Sequence, residues 1–262
     1  MKAIFLTSSL GGYKKIKKGD RVVKEIIKCD NSNSFIDRLK FVSPKINTFV
    51  FVASNPNGFG KTDEYANIII NALNLDGFEI KNLKIIDNRF DGDLEKTILS
   101  ADAVFLAGGN VPTQNNYFKE IKLKSILDKY QGVLIGQSAG SMNCSKIVYT
   151  QPEEDEEFED GNYKRQIRGL GLVDFAIMPH MNFASEVDEK GHPSVMQMCL
   201  EDSFSIPHYG ICDYGFIEVK DNKAIAYGKT LLIKNGKCIE LCGDKEKTEI
   251  LQEHFRDETF IK

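Results

Sequence analysis

Short, almost uninterrupted apolar runs constrain this chain more than any other feature. Lys2–Leu6, Thr48–Ala53, Leu83–Ile86, Ala103–Leu106, Val133–Ile135 and Phe175–Met178 are too brief for independent helices and carry little polar alternation. Such runs suit strands buried on both faces. Between them, helical spacing of apolar residues appears at Ser34–Phe41, Asp63–Leu75, Asp91–Ser100, Gln114–Tyr130 and Ser138–Lys146. Strand–helix alternation of this kind predicts a doubly wound α/β fold, a mostly parallel sheet with helices on both faces. From about Tyr209 the pattern changes. "YGICDYGFIEVKDNKAIAYGKTLLIKNGKCIEL" reads as successive hairpins, with Asp221-Asn222 and Asn235-Gly236 at the turns. These antiparallel C-terminal strands extend the same sheet or form a second small one. The whole chain, 1–262, is read as one α/β domain with a polar tail from about 245.

Net charge −4 and a pI near 5.7 give no reason to expect nucleic acid as a partner. The opening "MKAIFLTSSLGG" resembles a signal peptide only briefly, because its apolar run ends after Ala3–Leu6. No run approaches the length of a membrane span. A cytoplasmic chain with no membrane partner, monomeric or homodimeric, is expected. The six cysteines have no zinc spacing, and Cys238 and Cys242, separated by Ile-Glu-Leu, suit a strand. The four histidines form no HxxxH or HxH pair. Neither a metal nor an organic cofactor is expected. Two charged segments, the basic 11–24 and the acidic 152–160, read as solvated loops. The acidic one follows closely on the helix that Ser138 opens, so it can border the same cleft.

In "GVLIGQSAGSMN" a buried strand ends in a serine flanked at −2 and +2 by glycine. A Gly-rich strand-to-helix turn would explain this, and so would a nucleophile elbow that pushes the Ser138 hydroxyl clear of the sheet. A serine hydroxyl is a poor nucleophile at neutral pH. It needs a base, a group that orients the base, and donors for the oxyanion. The Ala139 N–H at a helix N-terminus is one such donor. Gly109 is a second candidate, because "AVFLAGGN" ends its strand as the elbow ends Val133–Ile135, and such ends share one crevice in an open parallel sheet. A tight turn capped by Asn110, in which glycine needs only a positive φ, explains the same residues. Among the histidines His180 ranks first as base, just past the strand in "VDFAIMPHMN"; His192, His208 and His254 occupy a loop, a strand entry and a polar tail. Asp213, interrupting the apolar "HYGICDYGFIEV", is the first choice of orienting carboxylate, with Glu153 and Glu154 as alternatives. The order Ser138, His180, Asp213 differs from the Ser–acid–His order of α/β-hydrolases.

Together "FLAGGN", "GQSAGSMN", "GLVDFAIMPHMN" and "GICDYGFIEV" resemble peptidase family S51, the group of dipeptidase E and cyanophycinase, over roughly residues 45–235. The resemblance implies a fold similar to class I glutamine amidotransferases, where a cysteine takes the elbow. It implies Ser138 as nucleophile, His180 as general base, and the Gly109 and Ala139 N–H groups as oxyanion donors. Asp213 falls where family members often carry Glu, and Glu153 falls near another acidic position of the family. The residue Gln137 and the segments 11–24 and 152–160 have no counterpart in dipeptidase E itself. An acidic substrate side chain would need a cationic partner, for which Lys164, Arg165 and Arg168 in "NYKRQIRGL" are candidates. Asn110 and Gln114 are further substrate-binding candidates. The expected activity is therefore hydrolysis of small peptides by a serine peptidase. An esterase or amidase acting on a non-peptide acyl compound and a non-catalytic ligand-binding module are the alternatives.

Overall fold

The computed structural model describes residues 1–19, 21–153, 155–161, 163–187 and 189–250. The first half of the chain contains β1 (Ala3–Thr7), β2 (Gly11–Lys18), β3 (Arg21–Cys29), α1 (Phe35–Val42), β4 (Thr48–Val52), α2 (Phe59–Leu75), β5 (Asn82–Ile86), α3 (Leu94–Leu99) and β6 (Ala103–Leu106). Then come α4 (Val111–Glu120), α5 (Leu123–Leu127), β7 (Val133–Gln137), α6 (Ala139–Met142), β8 (Ile147–Tyr149), α7 (Asp155–Glu159), β9 (Gln166–Arg168), β10 (Ala176–Met178) and α8 (Val195–Asp202). The C-terminal part is all strand: β11 (His208–Ile211), β12 (Phe216–Lys220), β13 (Lys223–Tyr227), β14 (Thr230–Lys234), β15 (Lys237–Cys242) and β16 (Lys247–Ile250).

The central sheet has eight strands in the order β16-β13-β12-β1-β7-β6-β4-β5. From β1 to β5 every pairing is parallel, and β12, β13 and β16 add antiparallel strands beyond β1. The apolar runs alternate two kinds of packing. Phe5, Phe49, Phe51, Phe105 and Ile135 face α1 and α2, meeting Leu39, Ala66, Ile69 and Leu73. Their neighbours Leu6, Val50, Val52, Val104 and Leu134 face the opposite layer, with Tyr117, Phe118, Leu123 and Ile126 of α4 and α5. Both faces must be apolar, which is why these strands read as continuous runs. The second sheet has four strands, β10-β11-β14-β15, with β10 and β11 parallel and the rest antiparallel. The C-terminal hairpins thus serve both sheets.

Five sequence expectations change. The basic segment 11–24 is a hairpin rather than a loop: β2 and β3 pair antiparallel with a bulge near Gly11 and Tyr13. The hairpin lies on α2, where Lys24 pairs with Glu64 and Ile26 joins the core. The helix expected over Gln114–Tyr130 breaks into α4 and α5, with Lys122 between them at φ 51°. The helix expected over Ser138–Lys146 ends at Met142, and a turn over 143–146 with a bridge from Ser145 to Val173 leads into β8. The polar tail from 245 is partly strand: β16 closes the sheet edge on β13 and buries Ile250. The remainder of that segment, with His254, lies outside the described residues. Part of the acidic run, Asp155–Glu159, is the short exposed helix α7. Among the described residues no helix is long and apolar enough to cross a membrane.

Candidate active site

Strand register sets the position of the site. Thr7 of β1 pairs with Gln137 of β7, and Leu106 of β6 pairs with Gly136, so Ser8, Ser138 and Ala107–Gly109 leave the sheet along one edge. β12 runs the other way, with Phe216 opposite Thr7, and delivers Asp213 to that same edge from its N-terminal side. His180 arrives from the second sheet, two residues past β10.

The turn at Ser138 is tight and strained. Its backbone takes φ 50° and ψ −116°, a conformation that non-glycine residues rarely adopt. The flanking glycines permit it by closeness. A Cβ on Gly140 would lie 2.1 Å from the carbonyl oxygen of Leu106, and one on Gly136 would lie 2.8 Å from the Ser141 nitrogen. Strand and helix backbones therefore meet with no room for a side chain. Backbone bonds complete the turn: the Ser138 N–H donates to the Thr7 carbonyl, and the Ser138 carbonyl accepts from Ser141 and Met142.

Ser138 Oγ lies 3.0 Å from His180 Nε2, and His180 Nδ1 lies 2.7 Å from Asp213 Oδ1. An ionised carboxylate only accepts, so Nδ1 carries the ring proton and Nε2 accepts from the serine hydroxyl. Ser8 extends this line. Its hydroxyl donates to Asp213 Oδ1 at 2.7 Å and accepts from the His180 backbone N–H at 2.8 Å. Asn182 Oδ1 accepts from the Asp213 N–H at 2.5 Å. Burial alone would raise the Asp213 pKa, but the hydrogen bonds from His180 and Ser8 outweigh it and hold the carboxyl below its ordinary range. The carboxylate therefore stays charged at neutral pH.

Among the described residues nothing accepts from the N–H groups of Gly109 or Ala139. Gly108 packs against Ser138, where an added Cβ would sit 3.3 Å from the serine Cβ, so the β6 turn and the elbow are neighbours as the sequence predicts. A cleft of about 160 Å³ opens beside Ser138, His180 and Gly109. Met142, Met178, Phe183 and Val195 contribute apolar wall, and Gln151 and Glu153 contribute polar atoms.

The structure does not bring every candidate to this cleft. Gln114 is fully buried and works inside the scaffold: its Nε2 donates to the Ala107 carbonyl and its Oε1 accepts from Asn143. Asn143 also accepts from Asn115, so three buried amides tie α4 and the end of α6 to the turn after β6. Arg165 is held by Asp202 and the Tyr149 hydroxyl. Arg168 is exposed and lines a separate groove with Asn115, Phe118 and Lys122. Lys164 does not line the cleft either. Asn110 caps α4 through Thr113 and reaches Glu153 at 3.4 Å, which puts it at the rim. Glu153 lines the cleft, while the partner of His180 Nδ1 is Asp213. Sequence reasoning missed Ser8, Asn143 and Asn182. Ser8 carries the same signal as Ser138, a polar residue directly past an apolar strand.

A crevice over the carboxyl ends of parallel strands, with a serine, a histidine and a carboxylate meeting in it, defines an α/β protein built for chemistry at its strand ends. The chain belongs to peptidase family S51, whose model matches residues 30–227. Among solved structures it is similar to a peptidase from an acI-B1 Actinobacterium, with TM-score 0.63 and 14% identity over 95% of this chain and 96% of that one. It is also similar to a provisionally assigned peptidase E from Listeria monocytogenes EGD-e, with TM-score 0.57 and 18% identity over 86% of this chain and 98% of that one. At these identities the two structures speak for the fold. No curated protein sequence matches the chain.

Proposed function

We propose that this S51 peptidase is a serine peptidase of small peptides, similar to dipeptidase E, working through an acyl-enzyme. One observation carries the reading: the unbroken line from Ser138 Oγ through His180 to Asp213, starting on a strained turn. Ser138 Oγ attacks the scissile carbonyl carbon as His180 Nε2 takes its proton. The oxyanion that forms meets the N–H groups of Ala139 and Gly109. His180, now an imidazolium, is stabilised by charged Asp213 and gives its proton to the leaving amine as the C–N bond breaks. Water then replaces the amine. His180 takes a proton from it as its oxygen bonds to the acyl carbon; the acyl–Oγ bond then breaks, the carboxylic acid leaves, and the proton returns from His180 to Ser138 Oγ. Asp213 fixes the ring tautomer, and Ser8 positions Asp213.

A fluorophosphonate probe and an unblocked dipeptide library test this on the full chain. The expected result is covalent labelling at Ser138 and release of free amino acids, both lost in Ser138→Ala. Hydrolysis that persists in that variant, or a label on another residue, overturns the assignment.

A further inference from the structure

The walls of the cleft bear on which peptides enter it. Apart from His180, the polar side chains of the described lining residues that lie beyond Ser138 are Gln151 and Glu153, and no lysine or arginine is among those lining residues. The cations that an acidic substrate would need are committed elsewhere. Arg165 is bound to Asp202 and Tyr149, and Arg168 lines another groove. A substrate carboxylate in this cleft would lose water without gaining a counter-charge, and it would face the Glu153 carboxylate. An ammonium group meets the reverse situation. Gln151 Oε1 is buried and has no hydrogen-bond partner, so it is an acceptor that lacks a donor. Glu153 supplies negative charge in the same wall. The rest of the wall, Val111, Met142, Met178, Phe183 and Val195, is apolar.

Building on the serine-peptidase reading, we propose that the cleft selects unblocked peptides with an apolar first residue. The α-ammonium sits at Glu153 and Gln151, the side chain lies on the methionine and valine wall, and acidic first residues are rejected. A free amine one residue from the scissile bond also makes the enzyme an N-terminal peptidase of short chains. Glu153 and Gln151 act here on substrate binding and not on the proton transfers at His180.

Steady-state kinetics with Leu-Leu, N-acetyl-Leu-Leu and Asp-Leu test the proposal on the full-length protein and on Glu153→Gln. The expected kcat/KM for Leu-Leu exceeds that for the acetylated peptide by about 10- to 100-fold, the worth of a charge-assisted hydrogen bond. Asp-Leu falls below both. In Glu153→Gln the advantage of Leu-Leu over the blocked peptide shrinks to about threefold, with the change mainly in KM. A preference for Asp-Leu, or an advantage left intact in Glu153→Gln, overturns the proposal. Fluorophosphonate labelling separates the two readings, because the probe carries no ammonium. Labelling at Ser138 without this selectivity removes the substrate class and leaves the serine peptidase standing. Absence of both labelling and hydrolysis removes both.

Discussion

Ser138 and His180 each stand just past a short apolar strand, and each takes a positive φ, 50° and 59°. They are held there by opposite means. Ser138 is fixed by sterics: two glycines let the α6 backbone press on β6 and β7, and main-chain bonds close the turn. His180 is fixed by polar side chains, with Ser8 on its backbone, Asp213 on its ring, and Asn182 steadying Asp213. The Ser138 half therefore fails when volume is added, and the His180 half fails when a hydrogen bond is removed. A position held by packing moves as a unit with its strand. A position held by a hydrogen-bond network loses alignment in steps.

The largest effect expected is chemical. Ser138→Ala should lower kcat by about 10⁶ with an unchanged melting curve, as happens when one member of a concerted set is removed. Activity within tenfold of wild type would end the proposed role. Asp213→Asn comes next, with a loss of about 10²–10⁴ in kcat and little change in KM, because the ring keeps its place but loses its tautomer. Glu153→Gln in parallel should act on KM, and a severe kcat loss there would transfer the orienting role to Glu153. Gly140→Ala tests the steric half. Its Cβ would collide with the Leu106 carbonyl, so stability should fall by about 3 kcal/mol in a denaturant melt. A neutral result would mean that the turn is not packing-limited.

The fourth expectation concerns the small sheet itself. His208 on β11 is fully buried, neither ring nitrogen has a partner, and its ring edge meets Tyr149. Burial disfavours its charged form and lowers its pKa from 6.5 to about 4, with Asp202 opposing the shift and Arg165 adding to it. Between those values the unfolded chain binds a proton that the folded chain does not. Stability is full above pH 6.5 and is lost as the pH falls through the window, by about 2 kcal/mol on reaching pH 5. His208→Phe should flatten that slope in urea melts at pH 7 and 5. The smallest effect belongs to Ser8→Ala, which removes two bonds around Asp213 and His180. About a tenfold drop in kcat is expected, roughly one hydrogen bond, and Ser8→Thr should recover part of it. A full 10⁴ loss would move Ser8 from a positioning role to an indispensable one.

Much of this architecture was legible in the sequence because buried parallel strands need apolar residues on both faces. "TFVFV" and "AVFL" declare themselves for that reason. Ser138, His180 and Asp213 were singled out as polar residues at the ends of such runs, and the structure brings the three within hydrogen-bond reach. The hairpin 11–29 was not legible. A two-stranded ribbon with one face in water needs few apolar residues, and the bulge near Gly11 breaks the period of two that would mark it. Short α6 was over-read as a longer helix because its end is set by Asn143, whose amide is spent on α4 rather than on the local turn. The direction of Gln114 is not legible, because a polar residue near a Gly-rich strand end gives no sign of which way it points. Its partner, the Ala107 carbonyl, exists only in the folded chain. Ser8 shares the strand-end signal of Ser138, but nothing in "LTSSLGG" tells a serine that binds a carboxylate from one that binds water.

The division of the site between two sheets also bears on the order in which the protein becomes active during its own synthesis. The elbow and its neighbours β1, β6 and β7 are complete once residue 142 has been made. His180 then arrives just past β10, and β10 and β11 make only a two-stranded parallel piece until β14, residues 230–234, pairs with β11. Two strands alone have little stability in water. On the proposed mechanism, a growing chain thus carries Ser138 on its turn before His180 is held in place, and hydrolysis waits until β14 has been made and paired.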